Sequence, residues 1–507
     1  MRIRTPQVIA ACGGVLAGVA TASMVFATGI AVPWWVGVGG GLVVAMSVAV
    51  LRGHARVLML IVLFAGGVGV LRMVQATQAA ARVVLPSSST TLMWEGRVRR
   101  VLIAEETQLR VRADRVRAPS VETAHTQVVD FFLPPRYRGA ILPGDVMHVR
   151  CRFRPARTMR ERATHAGTCA ADARAEVRIQ PADRMTLARI TAQWHATAAD
   201  AIDRAVPEPS AGMLRSALLG DRRTIPPDLE RAFRATGTMH VLVVSGWHMT
   251  MVAFAVRRAL RLLRCPRGLA IGTAVLAVLG MLSVAGPDPS ALRGAGMAMA
   301  VLAIELLGRV GNPLRVLLLT ATAMVLARPT LLAFDVGFQL SVLATAGLVV
   351  SGHLGAPATA MASWRSEVLD LLRASLAATV ATAPLLAWTF GTFTPLGILA
   401  NVLLVPVVPM LVLGGALLVV VATGIPIVLP AVAWGVDVLA RGFVAVIRFG
   451  AAMPGGATSV TVDGWFVLAC YVLFGIGVVH WYRWRGISLW MPLRGDRMAH
   501  TPLQSSA

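Results

Sequence analysis

The sequence predicts a polytopic α-helical membrane protein of about 12 spans with a small extracytoplasmic β-barrel inserted after the third span. Three observations carry this. The 507 residues are 56% hydrophobic and 14% charged, with a mean hydropathy of +0.68, whereas soluble chains carry about 25% charged residues. Long apolar runs recur from end to end, broken by one polar region that alternates with a period of two. A charged amphipathic stretch ending at Gly237 then gives way to an apolar run that holds His240, Ser245, Gly246 and His248. Polar groups inside a span are expensive unless they meet a partner or a wet path, so this segment implies a polar interior.

Residues 1–75 hold three apolar runs, about Val8 to Ile30, Trp34 to Leu51 and Val57 to Val74, each long enough to cross about 30 Å of hydrocarbon. The first lacks the small-residue cleavage site of a signal peptide. Arg2 and Arg4 precede it, and Arg52 and Arg56 separate the second run from the third. Arginine stays cytoplasmic, so the N-terminus is expected inside and the region after Val74 outside.

Residues 86–181 change character. Short alternating stretches such as Trp94–Val98, Leu109–Arg112, Val128–Leu133 and Val146–Phe153 are punctuated by Pro134-Pro135 and Pro143-Gly144-Asp145. About five strands in a domain of this size suit a barrel of the oligonucleotide/oligosaccharide-binding (OB) kind. Arginines crowd them, including Arg97, Arg99, Arg110, Arg112, Arg152 and Arg154. Such a face is either a phosphate-binding surface or a solvated outer face in an arginine-biased chain. Aromatic platforms are sparse: Phe131, Phe132, Tyr137 and Phe153. Cys151 and Cys169 both fall in this exported domain, where oxidation is possible. A disulfide bridging its last two strands and a pair of free buried thiols are the alternatives. Cys12, Cys265 and Cys470 fall in or near spans.

Residues 187–236 read as amphipathic interfacial helices, with Trp194, Ile202 and Val206 among acids and arginines. Residues 237–484 resume the apolar runs: Met239 to Val256, Leu269 to Ala285, Ala291 to Leu307, Leu314 to Leu331, Phe334 to Val350, Ser375 to Phe390, Leu396 to Val421, Ile427 to Ala452 and Trp465 to Tyr482. Arginines cluster between them (Arg257, Arg258, Arg261, Arg264 and Arg267, then Arg309 with Arg315, then Arg365 with Arg373), as a serpentine with alternating sides requires. Pro406, Pro409, Pro426 and Pro430 leave broken or re-entrant helices open after Leu396. Residues 485–507 form a basic tail, expected to be cytoplasmic and disordered. All 48 basic residues are arginine, so no Gly-Lys-Ser/Thr phosphate loop exists here.

This order of parts resembles the ComEC family, the inner-membrane DNA channel of natural competence. The resemblance rests on Leu219–Arg222, Phe233–Gly237 and His240–His248, then Pro289–Arg293, Phe334–Ser341, Ala383–Leu385 and Leu399–Leu403. It covers most of the chain, and the three early spans and exported barrel share its order. It implies a non-enzymatic inner-membrane channel that imports single-stranded DNA, without cofactor or metal. The alternative is a secondary transporter for a smaller anionic solute. Many members carry a C-terminal metallo-β-lactamase-like nuclease domain with His and Asp ligands. About 25 residues follow Tyr482, too few for one, and no His-x-His-x-Asp-His run occurs. A separate nuclease, and a cytoplasmic motor or strand-binding protein, are therefore expected as partners.

In that light Arg293, near a span end beside Gly294 and Gly296, is the leading candidate to line the DNA path, against snorkelling to headgroups. His240, Ser245, Gly246 and His248 join it, together with Asp335 and Gln339, which sit at i, i+4 and suit a hydrogen-bonding pair as well as substrate contact. Ser245 and His248 share a face, as a nucleophile and base would, but no third orienting group is evident and the Gly-x-Ser-x-Gly elbow is missing. Close helix approach at Gly246 fits better. Glu305 is expected to neutralise a cation of the bundle, and Asp437 and Arg441 to pair with each other.

Overall fold

Between Leu92 and Gln180 apolar residues alternate with arginines and other polar residues, and the backbone follows that period into strands. The computed structural model describes residues 12, 14–16, 66, 68–75, 92–103, 109–118, 121–125, 128–134, 137, 141–156, 167–171, 176–221, 225–242, 244, 246–286, 289–307, 313–352, 364–453 and 458–484. The strands are β1 (Leu92–Ile103), β2 (Leu109–Ala118), β3 (Val121–His125), β4 (Val129–Leu133), β5 (Val146–Pro155), β6 (Gly167–Ala170) and β7 (Val177–Gln180). β1 pairs with β2, β2 with β4, β4 with β6, β6 with β5, and β5 returns to β1, which closes a five-membered ring. The β4–β6 pair is parallel and the other pairs are antiparallel. The sequence predicts about five strands; the sheet has seven, because β3 extends β2 and β7 extends β5 outside the ring.

Trp94, Val111, Phe131, Met147, Val149 and Phe153 fill the barrel, with the Trp94 and Phe153 rings 4.9 Å apart. Cys151 and Cys169 are disulfide-bonded inside it, joining β5 to β6. The sequence reading set this bridge between the last two strands, but β7 follows β6 and takes the far edge of β5.

Polar contacts among the described residues tie the barrel to the helical part on two sides. Asp145, in the turn opened by Gly144 at a φ of +97°, accepts from the Leu142 and Ala182 amides at 2.8 and 3.0 Å. Its carboxylate also pairs at 2.5 Å with Arg189 on the following helix. On the other side Arg100 donates to the Ala285 carbonyl at 3.5 Å. This approach passes over Gly286, where any Cβ would overlap the guanidinium.

The helices are α1 (Leu187–Ala205), α2 (Ser210–Leu219), α3 (Pro227–Ala235), α4 (Gly246–Leu262), α5 (Arg267–Ala285), α6 (Pro289–Leu306), α7 (Pro313–Ala327), α8 (Thr330–Phe334), α9 (Val336–Val350), α10 (Trp364–Phe390), α11 (Leu396–Leu404), α12 (Val408–Gly424), α13 (Leu429–Ala452) and α14 (Gly464–Trp484). A two-residue pairing of β8 (Thr392–Phe393) with β9 (Thr458–Ser459) links the ends of α10 and α14.

Among the described residues α5, α6, α10 and α13 are each long and apolar enough to cross a membrane, and α11 with α12 forms a further pair bent by 47°. Their outward surfaces carry large exposed apolar side chains, such as Leu276, Val420, Trp434 and Phe449, as lipid contact requires. The chain is thus a mostly helical membrane protein carrying a barrel. Most of the first two apolar runs, and the tail after Trp484, lie outside the described residues.

Three local features refine the sequence reading, and the break at Pro406 is one that reading leaves open. The run from Met239 becomes helical only at Gly246, after a 3-10 turn (Met239–Leu242), since hydropathy alone does not separate a span from a buried apolar loop. Leu396 to Val421 breaks at Pro406, whose missing N–H and fixed φ interrupt the helix. The segment read as interfacial includes α2, yet all 10 residues of that helix are buried against α1, α12 and α13. Its Arg215 pairs there with Asp203 and Glu208.

Arg257 on α4 pairs at 2.5 Å with Glu305 at the end of α6, and Arg267 at the start of α5 donates to the Glu305 carbonyl at 2.6 Å. The basic cluster from Arg257 to Arg267 therefore lies at the opposite end of α5 and α6 from the barrel contact at Ala285. Removing the disulfide of 18-residue separation should lower barrel stability by about 3 kcal/mol. Thermal melts of Cys151→Ala with Cys169→Ala, read at Trp94, check this.

Candidate functional site

On β2, Leu109, Val111 and Ala113 face the core, which turns Arg110 and Arg112 outward; on β4, Val129, Phe131 and Leu133 turn Asp130 and Phe132 the same way. The pairing registers then draw two rows around the barrel's outside. One runs Arg100, Arg112, Asp130, Thr168, Arg154; the other runs Leu102, Arg110, Phe132, Ala170, Arg152. Four of the six predicted barrel arginines, Arg110, Arg112, Arg152 and Arg154, thus share one face. Arg97 and Arg99 stand on β1 near the same face.

Asp130 was not singled out by the sequence, yet it organises this surface. It is fully buried beneath the arginines. Arg112 donates through Nε to Oδ1 at 2.7 Å and through Nη2 to Oδ2 at 3.0 Å. Arg110 donates to Oδ2 through Nε at 3.1 Å and through Nη2. Burial by itself raises the carboxyl pKa, but the hydrogen bonds and charges of Arg112 and Arg110 outweigh it and hold Asp130 below the usual carboxylate value. The Arg110 guanidinium lies 5.7 Å from the centroid of the Phe132 ring, a cation–π contact. Arg152 and Arg154 are exposed.

The second locus is inside the helical part. Gly246 begins α4 and rests against Gly294 of α6: a Cβ on Gly246 would stand 3.0 Å from the Gly294 Cα and 3.2 Å from Arg293 Nη2, and one on Gly294 would overlap the Gly246 backbone. Beside this contact Arg293 is 5% exposed. Its Nε donates to Ser341 Oγ of α9 at 2.9 Å, Nη2 donates to the same hydroxyl, and Nη1 faces Met297 Sδ at 3.2 Å. Among the described residues no carboxylate pairs with it. The loop before α4 is fastened by Ser216 Oγ to the Leu242 carbonyl at 2.8 Å and by Ser290 Oγ to the Val244 carbonyl at 3.4 Å.

The other predicted residues are distributed around this centre. His248 is buried on α4, its ring edge-on to Trp247 at 6.2 Å, and His240 is exposed in the 3-10 turn. Ser245 lies outside the described residues. Asp335 and Gln339 do not bond each other through their side chains. Asp335 caps α9, accepting from the Phe338 amide at 2.7 Å, and Gln339 Nε2 donates to the Leu332 carbonyl at 2.6 Å. Both hold the α8–α9 corner that presents Ser341. Glu305 neutralises Arg257, and Asp437 pairs with Arg441 at 2.5 Å. Ser341 ends the Phe334–Ser341 block, so that motif held the signal for it; Met297 carried none.

A family model described as Competence protein matches residues 217–484. The chain is 26% identical over 217 residues to the ComE operon protein 3 of Bacillus subtilis (strain 168), a match of 42% of this chain and 26% of that relative. The matched stretch thus spans about a quarter of the relative's length. No solved structure matches.

Two outcomes follow from this geometry. Gly294→Ala should separate α4 from α6 and lower stability by about 1–3 kcal/mol, while Gly280→Ala, which meets open space, should not; melts in detergent decide. Asp130 has a folded pKa below its unfolded value, so its stabilisation is complete above about pH 4 and is lost as pH falls through the folded value. Denaturation of wild type and Asp130→Asn should therefore differ at neutral pH and converge in acid.

Proposed function

Because the chain belongs to the competence protein family, with its role in DNA uptake, we propose that it is a conduit for single-stranded DNA through the inner membrane during natural transformation. The observation that carries this reading is Arg293. A guanidinium with no carboxylate, among helices that meet lipid, is expensive unless an anion compensates it for part of its working cycle. Arg293 keeps N–H groups beyond those taken by Ser341 and Met297, and a passing phosphate is an anion of the right kind.

The positive-inside rule supports the orientation. The cluster of Arg257, Arg258, Arg261, Arg264 and Arg267 would face the cytoplasm, with the barrel outside and the N-terminus inside. The arginine rows of the barrel would then gather a strand by its phosphates before it reaches Arg293. Gly246 and Gly294 meet backbone to backbone beside Arg293, so a strand passes only when α4 and α6 part. His248, buried on α4 two residues after Gly246, lies beside that opening, while Asp335 and Gln339 act by holding Ser341. Drive is assigned to a cytoplasmic motor or strand-binding protein, and strand degradation to a separate nuclease.

A deletion should abolish DNA internalisation and leave surface-bound DNA in place. Arg293→Ala should lower transformation by roughly tenfold or more, equivalent to losing about 1.4 kcal/mol, and Arg293→Lys should retain part of the activity. Transformation frequencies with labelled DNA measure both. Normal transformation in the deletion would instead favour transport of a smaller anionic solute.

A further inference from the structure

Of the barrel arginines, Arg110 and Arg112 already hold a carboxylate. Asp130 receives both through Nε and Nη2, the two-pronged approach that guanidinium also makes to phosphate. The same interaction holds Arg110 over the Phe132 ring, so the aromatic surface on this face of β4 is covered as well. Across β6 from Asp130 and Phe132 stand Arg152 and Arg154, in the same two rows and exposed. One face therefore carries two arginines open to solvent and two bound to an internal anion.

We propose that Asp130 is a built-in rival to phosphate, which sets how tightly the barrel's outer face grips a nucleic-acid strand. The inference rests on the reading of the barrel as a strand guide and adds how its grip is limited. A strand docks first on Arg152 and Arg154. Arg110 and Arg112, each about a third exposed (34% and 28%), then swing from Asp130 to the backbone, and water takes their place on the carboxylate. Departure of Arg110 uncovers Phe132 for a base to stack. Each such exchange replaces one charge-assisted pair with another, so it adds little net affinity. A translocating strand needs that property, since tight binding would stall it.

The test uses the full-length protein in nanodiscs and fluorescent oligo-dT, titrated between low and moderate salt. Asp130→Asn should bind more tightly, by roughly threefold or more near 0.1 M salt, with a log–log salt slope steeper by about 0.7 for each arginine released. Arg154→Gln should weaken binding clearly, whereas Arg110→Gln should cost much less, because its charge is already matched. Once Asp130→Asn is present, Arg110→Gln should cost as much as Arg154→Gln. Asp130→Asn binding no better than wild type, or Arg110→Gln costing the same in both backgrounds, overturns the proposal while leaving the strand-guide reading intact. Should Asp130→Asn not fold, the wild-type background decides alone: Arg110→Gln costing as much as Arg154→Gln overturns it. Absence of any wild-type binding at low salt sinks the strand-guide reading itself, and this inference with it.

Discussion

A guanidinium buried among helices must find acceptors for five N–H groups, and around Arg293 one hydroxyl and one thioether are what the described residues offer. Much of the surrounding architecture serves to keep that arrangement in place. Gly246 and Gly294 let α4 and α6 touch closely enough to shelter the side chain. Asp335 and Gln339 hold the α8–α9 corner so that Ser341 arrives opposite it. Ser216 and Ser290 fasten the loop that delivers Gly246. These are short-range polar contacts in an otherwise aliphatic interior, where an unmet donor is expensive.

The barrel handles its arginines in the opposite way. Arg110, Arg112, Arg152 and Arg154 are exposed or half-exposed, and the buried Asp130 on β4 is enclosed by Arg110 and Arg112. Outside the membrane water can compensate an arginine that leaves its partner; within the helices it cannot. The same residue type is therefore exchangeable on the barrel and fixed at Arg293. The proposed conduit would draw on both: loose contacts on the barrel and a firm one at Arg293.

How much of this was legible in the sequence depended on the range of the interactions. Strand alternation in Leu109–Arg112 and Val146–Phe153 is a local pattern, so the barrel could be read directly. Apolar runs such as Leu269 to Ala285 matched a helix almost residue for residue. The start of α4 at Gly246 could not be read, because the apolar run from Met239 opens with a turn over Met239–Leu242. Asp130 escaped notice because its burial exists only once β2 pairs with β4, 18 and 20 positions away from Arg112 and Arg110. Ser341 lies 48 positions from Arg293, and no periodicity links them. Gly246 and Arg293 were marked by their own chemistry, while their partners emerged only from packing.

The anchoring of the barrel to the end of α5 has a mechanical corollary. Arg100 grasps a main-chain oxygen at Ala285, and Asp145 grips Arg189 at the head of α1. These struts, planted on different helices, restrain the barrel's position relative to both. Any tilt of α5 relative to α1 would thus be levered into a swing of the whole barrel, and a load on the barrel would be felt at the helix ends. Evolutionary drift at position 285 leaves the strut untouched, since the peptide backbone supplies the oxygen, but position 286, at a φ of +92°, strongly favours glycine.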